Sequence, residues 1–310
     1  MTAVGRARIR LPAEAAAKAQ QFVASGAEPV AARDSATVML LRPAVGATGA
    51  GPGDLGSQGP GSQGPGSQGP GLEVYMLRRR QSMAFAAGAY VFPGGSVDSR
   101  DSDGELTWAG PSVEEWAAAL DCSPGLARGL VCAAVRETFE EAGVLLADPG
   151  PGDPTVPTAT VPSAAELEPD RLALLDRSLS LAEMLARRNL VLRTDLLKPW
   201  ARWVTPDLES RRFDTRFFAA LLPAGQQTAD IQEEADQVAW LRPADVLAAA
   251  SRREVFLMPP TAVTLAELAA CPDTAAVFAT ERRITPRQPT ITLADGHAWL
   301  ALPDGLEFPS

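Results

Sequence analysis

Residues 136–144 read Arg136-Glu137-Thr138-Phe139-Glu140-Glu141-Ala142-Gly143-Val144. Glu140 and Glu141 follow Glu137 by three and four positions, so on a helix all three carboxylates lie near one face. The helix itself is predicted from its ends. Ser123-Pro124 supplies an N-cap and a first-turn proline, and Gly143 supplies a C-terminal stop. Like charges at this spacing destabilise a bare helix by roughly 0.2–0.5 kcal/mol per pair. They also sit near the helix C-terminus, where the macrodipole disfavours anions. Two readings of the spacing stand side by side: a solvated acidic face, or a set of hard oxygen ligands for a divalent cation such as Mg²⁺ or Mn²⁺.

Composition limits the alternatives. The chain has 310 residues, with 28 Lys and Arg against 38 Asp and Glu, for a net charge of −10. The single histidine, His297, excludes a His-rich metal site. Cys122, Cys132 and Cys271 show no C-x-x-C spacing, which excludes zinc ribbons and thioredoxin-like motifs. Three widely spaced cysteines suit free thiols in a reducing compartment, so a cytoplasmic location is expected. Carboxylates are the most plentiful reactive groups. The net negative charge argues against a broad nucleic-acid interface. No apolar run approaches the roughly 20 residues that span a bilayer, and residues 1–18 lack the apolar core of a secretory signal, so no membrane partner is expected. Apart from Lys18 and Lys198 every basic residue is arginine. Codon bias accounts for that count more simply than phosphate recognition does, so each arginine is judged by its position.

Along the chain, 36–42 and 72–79 read as strands. The Gly- and Pro-rich tract between them repeats GSQGP three times from Gly56 to Pro70. Its period of five excludes collagen, and the short segment before it is too small to be a domain, so it reads as a flexible hairpin loop inside one domain. Gly88 to Gly95 reads as a strand ending in a tight turn. Ser112 with Glu115 forms a capping box that opens a helix ending near Leu120. Ser163 with Glu166 and Ser180 with Glu183 repeat that signal, so 163–189 is expected to be helical. Strands are expected at 200–205, 212–222 and 237–242, a helix at 261–270, and a hairpin from 290–293 and 297–302. His297 sits beside that turn, in an exposed structural role.

With Phe92-Pro93-Gly94-Gly95 upstream, the 136–144 stretch resembles the Nudix hydrolase signature G-x5-E-x7-R-E-U-x-E-E-x-G-U. Arg136, Glu137, Glu140, Glu141, Gly143 and Val144 match it, and Thr138 is a loose fit to an aliphatic position. Forty residues separate Gly95 from Arg136 where the simple signature has 13, and the position of its early Glu holds Arg128. A box interrupted by an insertion is similar to the Nudix branch that includes a mammalian peroxisomal coenzyme A diphosphatase. So are Trp203-Val204-Thr205-Pro206, the stretch 211–218, and Glu254 to Pro260.

The resemblance implies an α+β fold, the Nudix α/β/α sandwich with a mixed β-sheet, insertions and a C-terminal extension. It divides the chain into an N-terminal segment (1–32), the hydrolase domain (33–250) and a helix-and-hairpin extension (251–310). The domain carries the loop 46–71, an insertion at 96–123 and a helical insertion at 147–199. It implies that Glu137, Glu140 and Glu141 hold Mg²⁺ or Mn²⁺, with the Gly94 carbonyl and a later carboxylate. Glu234, neighboured by Glu233, fits an E-x5-W pattern with Trp240, though an ordinary acidic turn explains it equally well. Arg136 would orient Glu137. Gly88 to Gly95 fits G-x3-F-P-G-G, part of a coenzyme A recognition motif, which brings in Phe92 and Gly95. The Arg expected four residues before Gly88 is Ala84. Arg78, Arg79 and Arg80 either bind a 3′-phosphate or guard a strand edge. Arg212, Asp214 and Arg216 share one strand face, as cleft lining or as a solvated ion-pair ladder, with Phe213 and Phe217 facing a core.

The expected activity is hydrolysis of a nucleoside diphosphate derivative, favouring coenzyme A or acyl-CoA and giving 3′,5′-ADP and 4′-phosphopantetheine. ADP-ribose, NADH or a nucleotide sugar are the enzymatic alternatives, and a silent nucleotide-sensing module is the non-enzymatic one. The expected partner is a small nucleotide, and a homodimer is left open.

Overall fold

A computed structural model describes residues 8–44, 71–80, 88–102, 106–149, 161–229, 235–294, 297–303 and 306–308. Its strands are β1 (Arg8–Arg10), β2 (Arg33–Pro43), β3 (Leu72–Arg79), β4 (Ala89–Val91), β5 (Gly94–Ser96), β6 (Trp108–Ala109), β7 (Ala147–Pro149), β8 (Leu190–Arg193), β9 (Leu197–Val204), β10 (Phe213–Leu221), β11 (Ala235–Leu241), β12 (Phe256–Leu257), β13 (Pro286–Arg287), β14 (Thr290–Ala294) and β15 (His297–Ala301). Its helices are α1 (Ala13–Ser25), α2 (Val113–Leu120), α3 (Pro124–Ala142), α4 (Ala164–Leu175), α5 (Leu181–Arg187), α6 (Pro243–Ser251), α7 (Pro259–Ala269) and α8 (Thr274–Ala279).

A mixed sheet forms the middle layer. β2 lies between β3, its antiparallel partner, and β10, its parallel partner from Arg33↔Phe213 to Leu41↔Leu221. The path continues β12-β4-β3-β2-β10-β9-β13, with β11 on β3 and β5 on β2. A strand covered on both faces must be apolar at both alternations. Ala36, Val38 and Leu40 of β2 join Tyr75, Leu77, Phe218 and Ala220 in one core, under α2 to α5. Met39 and Leu41 join Val74, Met76, Phe217 and Ala219 in the other, under α6 to α8 and β15. The result is helix, sheet, helix, and the expected α+β sandwich is the observed fold.

Helix α3 is the keystone of the first core. Ser123 Oγ accepts the Leu126 N–H, Pro124 opens the first turn, and Gly143 ends the helix in the left-handed region at φ 69°. Residues from Ala127 to Phe139 are buried almost without interruption, so the helix is enclosed on nearly all sides. No single helix among the described residues is long and apolar enough to cross a membrane.

The expected strands and capped helices are present, with bounds shifted by a few residues. The helical run 163–189 consists of α4 and α5, each opened by its capping box. Arg177, at φ 64°, lies in the turn between them. The expected strand at 88–95 is interrupted: β4 pairs with β3, while β5 crosses to pair with β2. The N-terminal segment contains β1 and α1, and β1 pairs with β15 in a sheet ordered β1-β15-β14. Three residues of strand carry no readable periodicity, which is why β1 is visible only in the tertiary structure.

The GSQGP tract lies outside the described residues. The hairpin on either side of it is closed to its last rung: Pro43 opposes Leu72, and the Ala44 N–H donates to Gly71 O at 2.8 Å. Replacing residues 45–70 by Asn-Gly therefore fits the strand ends. Each halving of a loop recovers about 0.6 kcal/mol of closure entropy, so thermal unfolding should show an unchanged or slightly raised Tm. A fall of more than about 5 °C, more than 1 kcal/mol for a domain this size, would place the tract inside the fold.

Candidate functional site

The last two turns of α3, strand β5 and the 3₁₀ turn Ser99–Asp101 meet around Arg136. Its guanidinium has five N–H donors, and the fold answers every one. Nε and Nη2 donate to the two oxygens of Asp101, each at 2.9 Å. Nη2 also reaches Ser96 O at 2.9 Å. Nη1 donates to Glu137 Oε1 at 2.7 Å and Glu140 Oε2 at 3.2 Å. Burial works against this charge, but the Asp101 hydrogen bonds and the neighbouring carboxylates hold the guanidinium above its ordinary pKa. Burial pushes the Glu137 carboxyl up to about 7, with Arg136 pulling it down and Glu140 adding to the rise. Glu140 is raised for the same first reason. Glu141 is half-buried, and its Oε2 accepts the Gly94 N–H at 3.0 Å.

Asp101 is the residue that sequence reading missed. The early acidic position of the signature is Arg128 here, and a carboxylate of the insertion, Asp101, pairs with Arg136. The Asp98 side chain caps the turn by accepting the Arg100 N–H, while the Asp98 N–H donates to Asp101 Oδ2 at 2.8 Å. That reciprocal spacing is a capping-box pattern in the sequence, Asp98-x-x-Asp101. Its pairing with a residue 35 positions away is not.

Glu137, Glu140 and Glu141 line one polar cleft of about 850 Å³, together with Arg33, Asp34 and Arg100. Among the described residues no three acidic, His or Cys side chains are gathered into a ready-made ion cage. The reason is local: Arg136 draws Glu137 and Glu140 towards itself, and the Gly94 N–H holds Glu141. The donor chemistry fits a hard divalent cation, which Glu137, Glu140 and Glu141 would hold. The backbone leaves no spare room, because a Cβ on Gly95 would collide with the Glu137 carboxylate. Glu233 and Glu234 lie outside the described residues.

A second cleft, of about 1620 Å³, shares Gly94, Gly95, Ser96 and Glu141 with the first. Phe92 and Arg78 line it. Phe92 is buried edge-on against Phe217, with ring centroids 6.4 Å apart. Arg78 donates to Gln237 Oε1 at 3.3 Å. Arg80 is exposed at the end of β3 and lines neither cleft. Of the two readings of the β10 face that carries Arg212, Asp214 and Arg216, the structure shows the ion pairs, and neither Arg212 nor Arg216 lines either cleft. Arg216 is enclosed, only 1% exposed, and its Nη1 pairs with Asp214 at 2.8 Å and Asp34 at 3.2 Å. Arg212 ties down backbone, donating to Val30 O and Thr205 O and pairing with Asp207. Phe213, Thr215 and Phe217 line the cleft instead. The period of two is right, but a sheet covered on both sides does not declare from its pattern which face meets the cleft.

Removing one partner of a buried ion pair costs about 3–5 kcal/mol because a charge is left uncompensated. Asp101→Ala should therefore destabilise the protein in urea unfolding, towards the lower end of that range because Arg136 keeps two other carboxylates. The double variant Asp101→Ala/Arg136→Met should be no less stable than Asp101→Ala alone. Strictly additive losses would mean that the two residues are not coupled.

The NUDT19 Nudix domain model matches residues 122–268. The chain is 27% identical over 226 residues to the acyl-coenzyme A diphosphatase NUDT19 of Xenopus laevis, covering 63% of this chain and 59% of that protein. It is 28% identical over 229 residues to the Gallus gallus protein of the same name, covering 63% and 61%. The chain thus matches about three-fifths of the length of these relatives. A crystal structure of a NUDIX hydrolase from Alicyclobacillus acidocaldarius superposes with a TM-score of 0.56 at 25% identity, over 82% of this chain and 98% of that one. Nudix hydrolases generally use divalent metals and act on small nucleotide derivatives. Residues 122–268 thus match a NUDT19 Nudix domain, and the chain is similar to Nudix hydrolases of the NUDT19 branch.

Proposed function

We propose that this protein is a diphosphatase that hydrolyses coenzyme A or an acyl-CoA to 3′,5′-ADP and the corresponding 4′-phosphopantetheine. The observation that carries the reading is the position of the glutamates: Glu137, Glu140 and Glu141 edge a polar cleft, and Glu141 also borders the larger one. A diphosphate bound where the clefts meet would extend one substituent into each. The names of the relatives support the choice of coenzyme A derivatives.

Mg²⁺ or Mn²⁺, when bound, would neutralise the diphosphate oxygens and lower the pKa of the attacking water. Glu137 is fixed by Arg136 and suits a ligand that must not swing. A glutamate of the set accepts the proton of the water as its oxygen adds to phosphorus. The bridging P–O bond breaks, and its electron pair leaves with the displaced phosphate. No histidine is required, and His297 interacts instead with Arg10 Nη2 at 3.0 Å. The proposed location is cytoplasmic, supported by Cys122, Cys132 and Cys271 being free thiols.

The test is incubation with Mg²⁺ or Mn²⁺ and a panel of CoA, acyl-CoA, ADP-ribose, NADH and nucleotide sugars. Release of 3′,5′-ADP from CoA species, abolished by EDTA, is expected. Cleavage of ADP-ribose but not CoA would replace the substrate, and no turnover of any diphosphate would leave a nucleotide-sensing module. Glu140→Gln and Glu141→Gln should each lower turnover by about 10²-fold or more with Tm retained; near-normal rates in either would remove that residue from the set.

A further inference from the structure

We infer that the larger cleft holds the acyl chain of the substrate, and that the segments flanking the matched domain build its apolar wall. This inference rests on the acyl-CoA reading above and assigns a subsite to it. The two clefts that meet at Gly94 and Glu141 are chemically unlike. The smaller is lined by arginines and carboxylates, including Arg33, Arg100 and Arg136. The larger takes its walls from Ile9 and Leu11, from Phe213 and Phe217 of β10, and from Ile291 and Leu300 of the β14–β15 hairpin. Its lining also carries charged residues, of which Arg10, Arg211, Arg253 and Glu254 are exposed and Arg78 and Glu141 are partly buried. An acyl-CoA has the same asymmetry about its diphosphate: a polyanionic nucleotide on one side and a long, uncharged, increasingly apolar arm on the other.

Size and exposure point the same way. Sites for drug-sized ligands enclose roughly 300–1,000 Å³, and this cleft encloses about 1620 Å³. Phe256, on its lining, is 54% exposed to solvent although large and apolar. A bound alkyl chain would cover it. Ile9, Leu11, Ile291 and Leu300 all lie outside residues 122–268, where the family model matches. This part of the wall is contributed by β1, the residue after it, and the β14–β15 hairpin, which the sheet β1-β15-β14 brings together.

Each methylene moved from water into such a groove raises affinity roughly fourfold. Burial of half the ten methylenes added between acetyl- and dodecanoyl-CoA would therefore lower KM about a thousandfold. Contacts made equally in ground and transition state leave kcat nearly unchanged, so the effect should appear in KM alone. Phe256→Asp and Ile291→Asp, at partly exposed positions, should each reduce the dodecanoyl-to-acetyl preference about tenfold or more. A KM independent of chain length in the wild-type protein would overturn the inference whatever the variants do.

Calorimetric titration with S-dodecanoyl-pantetheine, which lacks the nucleotide and the diphosphate, reads the groove without catalysis. Binding to the wild-type protein, weakened in the variants, supports the inference even if no CoA derivative is hydrolysed; that combination would sink the proposed function and leave the subsite standing. Failure to bind, or displacement by 3′,5′-ADP in direct competition, would overturn the subsite while leaving the diphosphatase reading intact.

Discussion

The pairing of Arg136 with Asp101 is the interaction on which the site depends. A buried ion loses several kcal/mol of hydration, so a guanidinium on the enclosed face of α3 persists only if the fold supplies acceptors. Asp101 takes two of its donors and Ser96 O a third, which orients the remaining nitrogen at Glu137 and Glu140. One guanidinium facing Asp101, Glu137 and Glu140 leaves carboxylate charge in excess. Burial raises the Glu137 and Glu140 carboxyls, and the neighbouring carboxylates add to that rise.

This arrangement places demands on the backbone. β5 must come close enough to α3 for the Gly94 N–H to reach Glu141 and for Ser96 O to reach Arg136. Glycine at 95 permits the approach, because a side chain there would collide with Glu137. β5 can cross over because it leaves β3 after Phe92-Pro93 and pairs with β2 instead. The helix and the crossover together put Glu141 at the junction of two clefts and Glu137 and Glu140 in the smaller one. The net charge of −10 is not a guide to what binds there. Arg33, Arg100 and Arg136 set the local potential on one side, and apolar side chains set the environment on the other.

Much of the fold was legible because local rules and tertiary packing agree. Ser112, Ser163 and Ser180 cap their helices with the glutamates three residues on, as their spacing predicts. Gly143 stops α3 because its φ of 69° suits glycine. The site was legible where its residues are neighbours in sequence: Arg136, Glu137, Glu140 and Glu141 fall within two helical turns. It was illegible where partners are distant. Asp101 joins Arg136 across 35 positions, and β1 joins β15 across nearly the whole chain.

By itself, the sequence determined the identity and spacing of the reactive carboxylates, the bounds of the helix that bears them, and the family to which that spacing belongs. These follow from side-chain chemistry and the 3.6-residue period, which act over a few residues. Tertiary structure decided which carboxylate pairs with Arg136, which face of β10 meets the larger cleft, and which segments distant in sequence line it. Each of those depends on which surfaces come together, and a two-sided apolar strand or a three-residue edge strand carries no local signal of its partner.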